Sequence, residues 1–229
     1  MDYFSRIRKQ HIEREIEYLS QVLPYPPTKI NQQLTHKMLK AERKGWFKSL
    51  EKKLQEIADL MCDHLMIEKR IKITVTNDVP AGLFVMKNGT QNIYISKSRK
   101  QNFNQKVAIL AHEMSHYFLM ANHGIIRQNT DENELLTEVN AVYVGFGLLM
   151  LKGYLEMRKE TKTTITKSRV GYIKPILIYY GIIGTTKVRK QDPKTVIRKI
   201  GLSWRFKAYY DLFKYKKEYR RLKRKANKK

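Results

Sequence analysis

Apolar residues first recur at Ile7, Ile12, Ile16, Leu19 and Leu23, with Glu and Arg between them. The spacing predicts an amphipathic, highly charged helix over residues 1–23. Pro24-Tyr25-Pro26-Pro27 stops it and forms a stiff connector. A long helical pattern follows from about Asn31 to Ile67, interrupted near Gly45. Its inner face carries Leu50, Leu54, Ile57, Leu60, Met61, His64 and Leu65. The period then changes. Ile71 to Thr76 alternates with period two and is β-branched, which predicts a strand. Gly82 to Met86 and Asn92 to Ser96 read as two more strands, with Asn88-Gly89 as the hairpin turn between them.

Helical spacing returns at Gln105 to Leu110 and continues through Tyr117-Phe118-Leu119-Met120, ending near Asn122-His123-Gly124. Another helix opens at Asp131-Glu132, acids suited to its first turn, and runs to Leu151. Gly145 and Gly147 inside it cost about 1 kcal/mol each, and close packing against the preceding helix would account for them. Residues 152–170 are polar, basic and threonine-rich, and are expected to form an exposed loop. Gly171 to Ile183 predicts a helix with Pro175 near its first turn. A short helix is expected from Asp192-Pro193 to Ile200, and a last one after Ser203.

The chemistry concentrates in the helix after the strands, at His112-Glu113-Met114-Ser115-His116. The two histidines are four residues apart, so their imidazoles lie on one helix face, at the spacing that grips a single zinc ion. Glu113 lies further round the helix, where it can act as general base towards a water. Two histidines leave a third protein ligand to be found. Glu134 and Glu138 share the buried face of the next helix, where carboxylates need a cation or a donor. Both needs are met with Glu134 on the zinc and Glu138 bonded to the outer nitrogen of a ligand histidine. His123 stands seven residues beyond His116, one too far for the HExxHxxGxxH pattern, and Leu119 replaces its glycine; it is not expected to be a ligand. His11, His36 and His64 have no partner at ligand spacing and are expected on the surface or in the core.

Together, His112-Glu113-Met114-Ser115-His116 and Asn133-Glu134-Leu135-Leu136-Thr137-Glu138 resemble the paired motifs of the gluzincins, the zinc metallopeptidase clan that includes thermolysin. The compact minigluzincins are the nearest type, and the resemblance covers roughly Ile71 to Ile183. It implies an α+β, zincin-like fold: a small antiparallel or mixed sheet, the HExxH helix, then a Glu-bearing helix. It also implies zinc ligands His112, His116 and Glu134, with Glu113 as base. Glu138 stands where the clan pattern has Asp, which leaves it as an alternative third ligand. An oxyanion donor is expected from Tyr143, Tyr172 or His123. An edge strand beside the zinc would let an extended peptide pair across it.

Composition adds three points. The net charge of +25 suggests a polyanionic partner or a very basic tail. Residues 203–229 alone hold twelve Lys or Arg against Asp211 and Glu218, interleaved with aromatics, a pattern compatible with nucleic-acid contact. The single cysteine, Cys62, excludes a disulfide within the chain and is expected to be buried and inert. Met1 to Arg6 shows no apolar leader, and Val139 to Leu151 is too short to span a bilayer. A cytoplasmic protein is expected. Residues 1–70 are read as a helical N-terminal extension, 71–190 as the zincin-like domain and 191–229 as a basic helical C-terminal extension. The expected activity is zinc-dependent peptide hydrolysis with one zinc ion. The alternative is a non-catalytic zinc module that engages nucleic acid or a protein through its basic flanks.

Overall fold

The computed structural model describes residues 7–23, 49–87, 89–160 and 172–190, with the backbone alone for 155–160. The Pro24 connector, His36, the bend expected near Gly45, the helices expected after Asp192 and the basic 203–229 stretch lie outside these residues. The described chain is α+β, helices around a small mixed sheet.

Helix α1 (Lys9–Val22) buries Ile12, Ile16 and Leu19 on one face, as their spacing predicts. Helix α2 (Leu50–Leu65) starts at Ser49, whose Oγ accepts the Lys52 N–H, and ends at Met66 in the left-handed conformation. Both helices contribute to the same hydrophobic core as the segments that follow them. Cys62 is fully buried in that core.

Strands β1 (Lys72–Thr76), β2 (Gly82–Lys87) and β3 (Thr90–Ser96) form a sheet of order β1-β3-β2. β3 runs parallel to β1 and antiparallel to β2. Lys87 pairs with Thr90, so the β2–β3 hairpin closes between them, with Gly89 at φ 71°. The outer edge of β1 is not left open. The Gln55 side chain of α2 accepts the Ile73 N–H and donates to the Ile71 carbonyl, and Glu51 accepts the Val75 N–H. Such cover blunts an edge that would otherwise pair with another chain.

Helix α3 (Phe103–His116) is set by a capping box between Asn102 and Gln105. It is buried from Gln105 to His116, including Lys106, whose Nζ donates to the Ser96 and Ser98 carbonyls at the end of β3. The helix continues as a π-turn segment, Tyr117–Asn122. Helix α4 (Thr130–Ala141) carries the two carboxylates, and α5 (Gly147–Glu160) follows after a π segment, Val142–Phe146. Helix α6 (Pro175–Val188) starts on its proline. The apolar stretch Thr130–Tyr154 is long enough to cross a membrane by length and composition, yet 89% of its apolar window is buried by the rest of the protein, as in a core helix.

Two expectations are corrected here. The loop expected at 152–170 is helical as far as Glu160, because Tyr154 is held in the core by a tertiary partner. The glycine that admits the HExxH helix is Gly153: a Cβ there would lie 2.5 Å from Ala108 Cβ. Gly147 faces Ile182 instead, and Gly145 (φ 104°) makes the bend between α4 and α5. That bend releases carbonyls from the helix ladder. The Tyr143 carbonyl accepts from Arg189 Nη2, and the Val144 carbonyl from His64 Nε2 at 2.8 Å.

His64 therefore serves in the core, and it makes stability pH-dependent. Burial pushes its pKa below the ordinary value, outweighing the Val144 bond. The folded protein takes up this proton less readily than the unfolded chain. Its contribution is complete above the unfolded value of about 6.5 and is lost as the pH falls from there through the lowered folded value. His64→Gln keeps a donor without the titration. Thermal unfolding between about pH 7.5 and about pH 5 is expected to show a shallower acid-side fall in Tm for this variant than for the parent. Parallel curves would count against the assignment.

Candidate metal centre

The end of α3 and the start of α4 bring four of the five site residues read from the sequence into one buried cluster, and the fifth borders it. His112 and His116 meet edge to face on α3, ring centroids 4.8 Å apart. Glu134 enters from α4. Its Oε2 lies 3.0 Å from His112 Nε2 and 3.4 Å from His116 Nε2. One nitrogen or oxygen from each of the three residues lies within 4.8 Å of the others. Ligands held at 2.0–2.1 Å by one tetrahedral ion sit about 3.4 Å apart. His112, His116 and Glu134 are thus close enough to bind one metal ion. The donor set, two imidazoles and one carboxylate, would suit a first-row divalent cation.

The outer nitrogens decide which imidazole face is free. Thr137 Oγ1 donates to the Asn133 carbonyl at 2.8 Å and lies 3.1 Å from His116 Nδ1. With its hydroxyl proton so used, Thr137 accepts from Nδ1–H, and Nε2 is the nitrogen turned toward Glu134. His112 Nδ1 is buried without a hydrogen bond and faces Glu138 Oε1 at 3.5 Å. Glu138 is fully buried and is itself fixed by the Tyr154 hydroxyl at 2.5 Å and the Tyr172 N–H at 2.9 Å. It stands on the far side of the imidazole from Glu134. Burial opposes charge on His112, yet Glu134 and Glu138 outweigh it and hold its pKa up to about 10. These carboxylates create a site that favours positive charge, which is what a cation would find.

Glu113 is nearly buried beside the cluster. Its Oε2 accepts the Phe84 N–H of strand β2 at 2.9 Å. Burial pushes its carboxyl pKa up, against the pull of His112 and His116. The contact depends on Gly82: a Cβ there would lie 2.4 Å from Ile109 Cγ2 and 2.8 Å from Glu113 Oε1. Only a strand without a side chain at this point lies so close to α3.

Of the three residues named as oxyanion donors, Tyr172 reaches the site. Its ring lies 5.5 Å from the His112 ring. Partial burial, then the Glu134 and Glu113 carboxylates, push its hydroxyl up to about 12, so it stays a donor at neutral pH. Tyr143 is buried under Arg189, and His123 is exposed against Phe118. Thr137, Tyr154 and Gly82 escaped the sequence reading. Thr137 alone carried a signal, three residues after Glu134 and hence on its helix face. Ser115 ties the two helices together, donating to the Thr137 carbonyl at 2.8 Å and accepting from Asn140 at 2.7 Å.

Comparison with protein-family models, with curated proteins and with solved structures finds no match for this chain.

Proposed function

We propose that the protein is a metal-dependent hydrolase. More particularly, it acts as a zinc metallopeptidase of the gluzincin kind, with a zincin-like arrangement of sheet and helices. The observation that carries this is Glu113: a nearly buried carboxylate beside the His112, His116 and Glu134 cluster, bonded to a strand amide rather than to a cation. A purely structural zinc site needs no such base, which sets the non-catalytic alternative second.

Zinc, when bound, supplies Lewis-acid activation of water and of a substrate carbonyl. The protein's part follows from the geometry. Glu138 and Thr137 hold the two imidazoles so that each presents Nε2. Glu113 takes the proton of the attacking water and delivers it to the leaving amine. Tyr172 donates a hydrogen bond to the carbonyl oxygen as negative charge builds there. Strand β2 supports a peptide as substrate. The β1 edge is covered by α2, whereas β2 borders Glu113 and exposes Leu83 and Met86. An extended chain adding to β2 would lay its backbone across the site.

The direct test is metal analysis with a hydrolysis assay on an unstructured peptide mixture. About one zinc per chain and cleavage abolished by a chelator and restored by zinc are expected. A protein that takes up no metal, or cleavage indifferent to chelation, would sink the proposal.

A further inference from the structure

Around the bend at Gly145 and the end of α6 lie buried donors that have no partner among the described residues. Arg189 follows α6 directly, with its guanidinium carbon 5.4 Å from the centre of the Tyr143 ring. Nη2 donates to the Tyr143 carbonyl, but Nε and Nη1 are buried without a hydrogen-bond partner. The hydroxyl oxygens of Tyr143 and Thr185 are also buried and unpartnered, in side chains with no exposed surface. Thr185 precedes Arg189 by one helical turn, so both lie on one side of α6. Among the described residues no carboxylate pairs with the guanidinium. Residues 172–190 contain Lys174, Lys187, Arg189 and Lys190 and no acid, and no ion pair among the described residues includes Arg189.

A buried guanidinium without a counter-charge is unfavourable, and so is each buried hydroxyl without a bond. One ligand type relieves both: an anion with several acceptor oxygens, which can accept from a planar fork and from hydroxyls together. We propose that Arg189, Tyr143 and Thr185 form a binding site for a small oxyanion, the phosphate or carboxylate group of a ligand. It is distinct from the three candidate metal ligands: Tyr143 lies nine residues beyond Glu134, more than two helical turns on.

The test is thermal unfolding of the full chain at fixed pH and matched ionic strength in phosphate, acetate or chloride. Phosphate stabilises most proteins through exclusion from their surface, so the deciding quantity is the phosphate-minus-chloride difference in Tm, compared between parent and variants. A parent difference larger by about 3 °C than that of Arg189→Gln is expected, with an intermediate value for Thr185→Val. Should Arg189→Gln not fold, Thr185→Val and Tyr143→Phe carry the comparison, each removing one hydroxyl at nearly constant shape. A larger excess in acetate than in phosphate also supports an oxyanion site and assigns it to a carboxylate. Equal differences in parent and variants overturn the proposal. So do variants that melt lower in every salt with an unchanged difference, because Arg189 then only caps the bend.

Discussion

Glu113→Gln is expected to lower kcat/KM for peptide hydrolysis by about 10²–10⁴-fold while metal content stays that of the parent. The amide keeps the size of the carboxylate and can still accept the Phe84 N–H, which now fixes Glu113 Oε2 at 2.9 Å. It cannot take a proton from water. None of the three residues that would hold the metal is altered, since the cluster is formed by His112, His116 and Glu134. The effect should therefore fall on kcat, with little change in KM. Steady-state kinetics on a single peptide, paired with metal analysis of the same preparation, give both readouts. A variant that cleaves as fast as the parent rules out Glu113 as the base. A variant that loses its metal shows instead that Glu113 acts structurally.

The second large effect is expected at Glu134. Glu134→Ala removes the oxygen that both Nε2 atoms face, leaving two ligands where a stable zinc site has at least three protein donors. Metal affinity should weaken by more than about 100-fold, with the protein isolated largely metal-free. Tyr154→Phe provides the graded comparison. It leaves the three donors in place and removes the hydroxyl that holds Glu138 at 2.5 Å, so His112 is oriented less firmly. A loss of about 10–100-fold is expected there. Competition against a chromophoric chelator measures both. Unchanged affinity in Glu134→Ala would transfer the third-ligand role to Glu138, which now faces the other side of His112.

Much of this centre is legible along the chain because its geometry is local. His112 and His116 share a face by helix periodicity, as do Glu134 and Glu138. The strands announced themselves by alternation and by the Asn-Gly turn. The helix over 152–160 is not legible in the chain because its charge-dense pattern carries no helical stripe, while Tyr154 is buried by a partner sixteen residues earlier. Gly145 and Gly147 share one expected cause and have two in the structure. Nothing in either residue's neighbours distinguishes a φ of 104° from a close helix contact.

The amino-acid sequence by itself determined that the chain is α+β, that two histidines and a carboxylate could share an ion, and that Glu113 would stand beside them. Helical and strand periods reach only a few residues, so they order side chains within one element. Tertiary structure alone decided which atoms meet: Glu134 on Nε2 and Glu138 on Nδ1 of the same imidazole, Thr137 behind His116, and Tyr172 rather than Tyr143 or His123 at the site. These choices rest on how α3, α4, α5 and β2 pack. Gly82 and Gly153 set that packing by what they lack, a side chain that would hold the elements apart.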